Sequence, residues 1–197
     1  MILITGGSGK LGSELKKHLE GFYPTHSELD ITNNVELPKD IDLIVHCAAY
    51  TDVDLAETQR QKCIEINVLG TYNLLQFKLP FIYISTEHIN GNGVYFQSKL
   101  IGELLVKNLA PSYLILRTLF KPNPFPWDNA WINQMTQGDY VDVIARLIAK
   151  NIKDWDGKSK TVYVGTGRKS MYELALKTKP GITPTLLEDL RRPKDYV

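Results

Sequence analysis

Met1-Ile2-Leu3-Ile4-Thr5-Gly6-Gly7-Ser8-Gly9-Lys10-Leu11-Gly12 opens the chain. The first five residues are an apolar β run that the glycines stop. Leu11, Leu15 and Leu19 then recur at helical spacing, with Glu14, Lys16 and Lys17 between them. The order is strand, glycine turn, helix, and Gly6-x-x-Gly9-x-x-Gly12 occupies the turn. A dinucleotide diphosphate belongs at such a turn. Glycines permit the tight bend and the close approach of phosphates to the backbone, and the helix start offers unpaired N–H groups and partial positive charge. Gly6, Gly9, Lys10, Leu11 and Gly12 are therefore candidate cofactor contacts. Met1 running straight into the strand predicts no secretory leader.

Outward from this turn the pattern alternates. Phe22 to Thr25 is a weak second strand, opposed by Pro24. Ile41 to Cys47 is apolar on both faces apart from Asp42 and His46, as expected of a parallel strand covered on each side. Residues 54–76 carry helical periodicity for one or two helices. Phe81 to Ser85 is a strand, Val94 to Leu109 a helix with Ile101, Leu104, Leu105 and Asn108 along one side, and Tyr113 to Arg117 a further strand. This alternation predicts an α/β fold with a Rossmann-like doubly wound parallel sheet. Beyond Arg117 the composition changes. Lys121 to Trp131 holds three prolines and two tryptophans, read as a loop followed by a short helix to Met135. Val141, Ile144, Ala145, Ile148 and Ile152 mark an amphipathic helix, Thr161 to Val164 a strand, and Met171 to Lys177 a short helix. The expected organisation is an NAD(P)-binding domain over 1–118 and, over 119–197, a reduced C-terminal substrate lobe interleaved with the last sheet elements. The polar end, 191–197, is expected to be loosely held.

The 197 residues and 22.3 kDa allow one domain and a small appendage. With 43% hydrophobic and 23% charged residues, disorder and low complexity are excluded. Lys plus Arg total 23 against 22 Asp plus Glu, so nothing points to nucleic acid or a membrane surface. Cys47 and Cys63 cannot build a disulfide framework or a zinc site, so no metal is expected and a reducing compartment, the cytoplasm, is.

Tyr95-x-x-x-Lys99 puts a phenol and an ammonium one helical turn apart, just after a strand ending in Ser85-Thr86. The spacing alone is common, and a half-buried tyrosine beside a solvated lysine would show it too. Its place downstream of the glycine turn gives it chemical meaning. Carbonyl reduction needs a proton donor at the carbonyl oxygen as hydride reaches carbon. A nearby ammonium favours the phenolate and lowers the phenol's pKa, and a hydroxyl such as Thr86 can hold the same oxygen. The second strand ends at Thr25-His26 without an acid, Glu28 and Asp30 coming later. A 2′-phosphate would not be repelled there, and Lys10 and His26 could attract it, which favours NADP(H) over NAD(H). His26 reads equally well as a plain surface histidine.

The motifs taken in order resemble the extended short-chain dehydrogenase/reductases: the glycine turn, His46-Cys47-Ala48-Ala49-Tyr50, Asn67-Val68-Leu69-Gly70, Ile84-Ser85-Thr86 and Tyr95-x-x-x-Lys99. Ser27-Glu28-Leu29-Asp30-Ile31-Thr32, Ala48-Ala49-Tyr50-Thr51-x-Val53-Asp54-x-Ala56-Glu57 and Leu114-Ile115-Leu116-Arg117-Thr118 are similar to the dTDP-4-dehydrorhamnose reductase branch. The resemblance is close over 1–118 and fainter from Tyr140 onward. It implies that Asp30 and Ile31 lie near an adenine, that Ala48, Ala49 and Tyr50 line the cofactor channel, and that Thr86, Tyr95 and Lys99 form a catalytic triad. It implies an NADPH-dependent reductase of a nucleotide-linked 4-keto-6-deoxy sugar in deoxysugar biosynthesis, and a homodimer whose interface would first be sought along 92–109. A nucleotide-sugar epimerase and a dinucleotide-binding regulatory subunit are the competing readings.

Three departures bear on the substrate side. Glu87 to Val94 is a short connector where the family has a longer loop framing the sugar, with Glu87-His88-Ile89-Asn90 in its place; His88 reads as a substrate contact or as a surface loop residue. Leu119-Phe120 stands where an aromatic is expected after Arg117-Thr118, and Phe120 reads as a stacking surface or as a core residue. The sugar-binding lobe is cut back, with 122–135, including Trp127 and Trp131, left as one wall.

Overall fold

The computed structural model describes residues 1–33 and 35–196. Five parallel strands make the central sheet: β1 (Ile2–Thr5), β2 (Leu43–His46), β3 (Phe81–Thr86), β4 (Tyr113–Thr118) and, from late in the chain, Lys160–Tyr163. Their order follows the chain, and every neighbouring pair is parallel. The expected strand over 22–25 reduces to a single bridge between Phe22 and Leu3, since Pro24 has no N–H to extend the ladder. Phe22 thus sits on one side of β1 and β2 on the other. The chain reverses its direction of winding at β1, and such a switch point leaves a crevice beyond the strand's carboxyl end.

Successive strand residues point to opposite faces, and both faces are covered. On one, Ile4, Val45, Ile82, Ile84, Leu114 and Leu116 pack on Leu11 and Leu15 of α1 (Lys10–Leu15) and on Ile144, Ile148 and Ile152 of a helix over Val141–Lys153. On the other, Leu3, Ile44, Phe81, Tyr83 and Ile115 pack on Leu74 and Leu75 and on Val106. The helices bringing those residues are short pieces run together: α2 (Val53–Thr58), α3 (Arg60–Ile64), a π-helical turn over Glu65–Leu69 and α4 (Gly70–Leu75), followed after β3 by α5 (Val94–Leu109). The side of α5 carrying Ile101 and Leu104 faces out, these residues being 39% and 50% exposed. The buried side carries Phe96, Ser98, Lys99, Gly102, Glu103 and Val106, so α5 turns a polar stripe inward.

After β4 the elements shrink: β5 (Phe120–Lys121), β6 (Asn129–Trp131), β7 (Met135–Thr136), β8 (Asp139–Tyr140), α6 (Val141–Lys153), β9 (Lys160–Tyr163, the fifth strand of the main sheet), β10 (Lys169–Ser170), α7 (Met171–Leu176) and β11 (Thr183–Thr185). The helix expected up to Met135 is absent; β6 pairs with β11 and β7 with β10 there. Three prolines before Trp127 withhold the N–H groups and backbone freedom a helix needs. A small third core of Phe125, Ala130, Tyr140, Met171, Leu174, Ala175 and Ile182 sits beneath. Residues 191–196 are tied down rather than loose. The Arg191 carbonyl accepts the Asn92 N–H at 3.0 Å, the Lys194 carbonyl accepts the Met135 N–H at 2.7 Å, and Arg191 and Arg192 pair with Asp54 and Asp189. Val197 lies outside the described residues. Among those residues no helix is long and apolar enough to cross a membrane.

Candidate active site

A cleft of about 770 Å³ opens at the carboxyl ends of β1, β2 and β3. The glycine turn forms one wall. Gly6 adopts φ +68°, and a Cβ there would lie 2.7 Å from the Ala48 nitrogen. A Cβ on Gly12 would lie 2.3 Å from the Gly6 carbonyl oxygen. The turn therefore closes on itself and on β2 only with glycine. A Cβ on Gly9 would meet nothing but the Gly6 carbonyl, at 3.1 Å, and Gly9 lines the cleft. The residues fit a dinucleotide diphosphate, which needs bare backbone on one side and room on the other.

The floor is built by a buried hydrogen-bonded network. Thr5 Oγ1 lies 2.7 Å from His46 Nδ1, and His46 Nε2 lies 3.1 Å from Thr71 Oγ1. The Thr71 hydroxyl donates to the Asn67 carbonyl at 2.7 Å, so it accepts from His46, whose proton then sits on Nε2. Burial, followed by repulsion from Lys99, brings His46 down to about 3, so it is a neutral spacer that locks β1 to β2. Asn67, on the π-helical turn, accepts the Tyr50 N–H at 2.8 Å and donates to the Tyr50 carbonyl at 3.0 Å and to Ser98 Oγ at 2.8 Å. One amide thus holds the Tyr50 backbone against α5, while the Thr5 hydroxyl accepts the Ala48 N–H at 3.2 Å. The extra residue of a π turn is what aims Asn67 inward.

Thr86, Tyr95 and Lys99 all line this cleft, as do Gly6, Gly9, Lys10, Leu11, Gly12, His26, Asp30, Ile31, Ala48, Ala49, His88 and Phe120. Tyr50 does not. Its backbone is clamped by Asn67 and its hydroxyl turns away to Gln59, at 3.2 Å. Glu87 does not either. Its carboxylate is fully buried, accepting from the Thr136 hydroxyl and, at 3.2 Å, from the Gln137 N–H. β3 ends at Thr86, and the turn that follows carries Glu87 away from the cleft while Thr86 and His88 line it. His88 is 2% exposed and donates from Nε2 to the Met135 carbonyl at 3.1 Å, so it is a fixed wall group and not a surface loop residue. Burial brings it down to about 4, which leaves it neutral.

The electrostatics of the tyrosine–lysine pair reverse the simple expectation. Burial pushes Tyr95 well above its ordinary range, with the Cys63 thiol adding to the rise, so the phenol keeps its proton. Lys99, 3% exposed, is the group that comes down, to about 7, because burial penalises its charge. Its ammonium lies 4.1 Å from the centroid of the Tyr83 ring. Thr86 Oγ1 accepts the His88 N–H at 3.2 Å and has its own proton to give. Four residues beyond Lys99, fully buried Glu103 accepts from Ser85 Oγ at 2.7 Å and from Arg117 at 2.9 and 2.8 Å. This three-way contact fixes the rotation of α5 against β3 and β4, and so the direction in which Tyr95 and Lys99 point.

At the far end His26 has an 83% exposed side chain, with its Nε2 4.0 Å from the Asp30 carboxylate. Asp30 is held below the ordinary carboxylate range by the Thr32 N–H and hydroxyl. An acid therefore does line this end of the cleft, although it comes from a turn and not from a strand end. Trp127 and Trp131, read from the sequence as what remains of one wall of the sugar lobe, line the cleft together with Gln134 of the same segment. Lys121 and Arg192 line it too, and neither carried a sequence signal for that place.

Residues 1–153 match the family described as RmlD substrate binding domain. The chain belongs to that family. Within reach of the RmlD substrate binding domain proteins, a dTDP-4-dehydrorhamnose reductase of Mycobacterium tuberculosis is 29% identical over 180 residues, covering 75% of this chain and 56% of the relative. One from Aggregatibacter actinomycetemcomitans is 34% identical over 147 residues, covering 59% and 50%. The chain spans about half the length of these curated relatives. Among solved structures, the Bacillus anthracis dTDP-4-dehydrorhamnose reductase in complex with NADP superposes with a TM-score of 0.83 at 26% identity, covering all of this chain and 88% of that one.

Proposed function

We propose that the protein is an NADPH-dependent reductase of a nucleotide-linked 4-keto-6-deoxy sugar, of the dTDP-4-dehydrorhamnose reductase type. The observation that carries the reading is the meeting of Tyr95, Lys99 and Thr86 in one cleft with a glycine turn that only bare backbone can close. The NADP-bound relative supports the choice of cofactor, with NAD(H) the alternative. The nicotinamide cofactor would supply hydride to the sugar carbon. Gly6, Gly9 and Gly12 with Lys10 and Leu11 would hold its diphosphate, Asp30 and Ile31 its adenosine, and Ala48 and Ala49 the channel between.

This chain's own residues would do the rest. Tyr95, protonated at neutral pH, donates its hydroxyl proton to the C4 oxygen as negative charge develops there. Thr86 gives its O–H to the same oxygen and orients it. Lys99 in its charged form stabilises the tyrosinate left after transfer, and His88 and Phe120 wall the sugar. The reaction is read as cytoplasmic, where both free cysteines stay reduced. A homodimer would use the outward face of α5, where Leu100, Ile101 and Leu104 are exposed.

The test follows NADPH oxidation with dTDP-4-dehydrorhamnose. Turnover by the wild type and its loss in Tyr95→Phe are expected. A protein that binds NADPH yet turns over no 4-keto nucleotide sugar overturns the reading.

A further inference from the structure

Lys99 is buried, and its ammonium has neither a carboxylate partner nor a hydrogen-bond acceptor among the described residues. A charge held dry in this way is unfavourable unless something stands in for water. Glu103, one turn further along α5, is engaged with Ser85 and Arg117. The other titratable groups around the ammonium are His46 and Cys47 at the end of β2, Cys63 of α3, and Tyr95 one turn back on α5. Burial keeps His46 neutral and raises both thiols and the phenol, so none of them brings a negative charge at neutral pH. What remains is a ring. The Lys99 ammonium lies 4.1 Å from the centroid of fully buried Tyr83, while the other cation–ring contacts among the described residues span 5.1 to 5.6 Å. Strand period puts Tyr83 and Ser85 on the same side of β3, and helix period puts Lys99, Gly102 and Glu103 on the side of α5 that meets them. A Cβ on Gly102 would lie 2.1 Å from the Tyr83 hydroxyl oxygen, so α5 carries a glycine in its interior, an unfavourable choice there, and the ring enters the space it leaves. The Tyr83 hydroxyl itself makes no hydrogen bond; the Thr71 hydroxyl beside it is engaged with His46 and the Asn67 carbonyl. Burial also keeps Tyr83 un-ionised, so the ammonium meets the face of a neutral ring and not a phenolate.

We propose that the face of Tyr83 is the resident partner of the Lys99 ammonium, and that Tyr83 is a positioning residue which keeps Lys99 charged and seated beside Tyr95 and so sets the pH at which reduction fails. The link to reduction rests on the reductase reading; the seat itself rests on the two side chains and Gly102. The negative face of an aromatic ring attracts a cation, and the attraction grows when both are shielded from water. Burial brings Lys99 down to about 7, and the ring works in the opposite direction by favouring the charged form. The ring is held in turn, with His46 packed 5.8 Å away on the β2 side and the bare Gly102 backbone on the other. The orphan hydroxyl and the interior glycine are both unfavourable for folding, and the contact they accompany is the one that gives the buried ammonium a partner.

The experiment weakens the ring's face without emptying its place. The full chain would carry Tyr83→Phe, Tyr83→3,5-difluorophenylalanine or Tyr83→3,4,5-trifluorophenylalanine; fluorine withdraws electron density from the face and changes the volume little. The Lys99 titration midpoint would be followed by NMR of the side-chain Cε carbon, assigned with Lys99→Met, and the pH dependence of NADPH oxidation with dTDP-4-dehydrorhamnose would be measured beside it. Tyr83→Phe keeps the face and should leave the Lys99 midpoint at its wild-type value. Fluorination should lower that midpoint stepwise, by about 0.5 to 1 pH unit over the series, and the alkaline limb of the rate should move with it. A midpoint that stays put or rises across the series overturns the proposal, because a ring that merely packs would behave so. A midpoint that falls while the rate limb stays fixed overturns Tyr83's part in setting the pH limit. Turnover with an unmoved midpoint removes the seat and leaves the reductase. A falling midpoint without turnover on any 4-keto nucleotide sugar leaves the seat and removes the reductase.

Discussion

The first 118 residues and the last 79 are held together by different forces. In the first part, β3 is buried at all six positions, and adjacent side chains on each strand feed two separate apolar layers. Regular spacing does the work there, and buried polar groups enter at the cleft floor and where Glu103 meets Ser85 and Arg117. In the second part the strands outside the main sheet shrink to two or three residues, the third core is small, and polar locks dominate: Glu87 on Thr136 and Gln137, Asp139 on Thr166 and Lys177, Arg192 on Asp54 and Asp189. The lesson is a division of labour. The regular part fixes the reacting groups, and the irregular part wraps a wall around them using contacts that tolerate change.

The comparison can be tested by breaking each part in turn. The largest effect is expected from Tyr95→Phe, which removes the proton donor: reduction should fall by about 100- to 10,000-fold while NADPH binding persists, as read by NADPH oxidation and cofactor titration. Retained turnover would mean that the regular part does not hold the chemistry. Next is Glu103→Ala. Leaving Arg117 and Ser85 unpaired in the interior should cost about 3 kcal/mol or more, visible as a lower urea midpoint of the whole chain. Leu174→Ala, in the small third core, should cost about 2 to 3 kcal/mol. Hydrogen exchange should localise that loss to 119–196, and a loss spread evenly over both parts would erase the distinction drawn here.

A smaller effect concerns pH. Lys99 is lowered to about 7, so it is charged below that value and loses its charge as pH rises through it. Tyr95 is raised and stays protonated over the same range. Reduction should therefore decline by about tenfold per unit once pH exceeds about 7, on a single limb in the pH–rate profile. A profile flat across that point would count against a charged Lys99 in the reaction. The smallest is Asp54→Asn. Its pairs with Arg191 and Arg192 are exposed on the Asp54 side, and their loss should cost under about 1 kcal/mol in a thermal melt. It should nonetheless loosen the C-terminal clasp, seen as faster exchange of the Asn92 amide.

Legibility followed the same division. The alternation from β1 to β4 could be read because a parallel strand buried on both faces is an unbroken apolar run, as Phe81 to Ile84 is. The strand over 22–25 and the helix before Met135 failed because prolines remove N–H groups that periodicity does not count. Spacing along α5 did not tell which of its sides is buried. Ile101 and Leu104 keep helical spacing, yet the buried side is the one whose lysine and glutamate meet partners on other elements.

From the order of its residues alone, the chain specified a glycine turn between a strand and a helix, and a phenol one turn from an ammonium, since both are local patterns that the backbone's own periods enforce. Only the tertiary fold decided that Lys99 and not Tyr95 is the group whose pKa falls, that Glu87 turns inward, and that Arg192 lines the cleft. Those outcomes depend on burial and on partners as distant as Asp54, 138 residues away from Arg192, and no local period records a contact of that span.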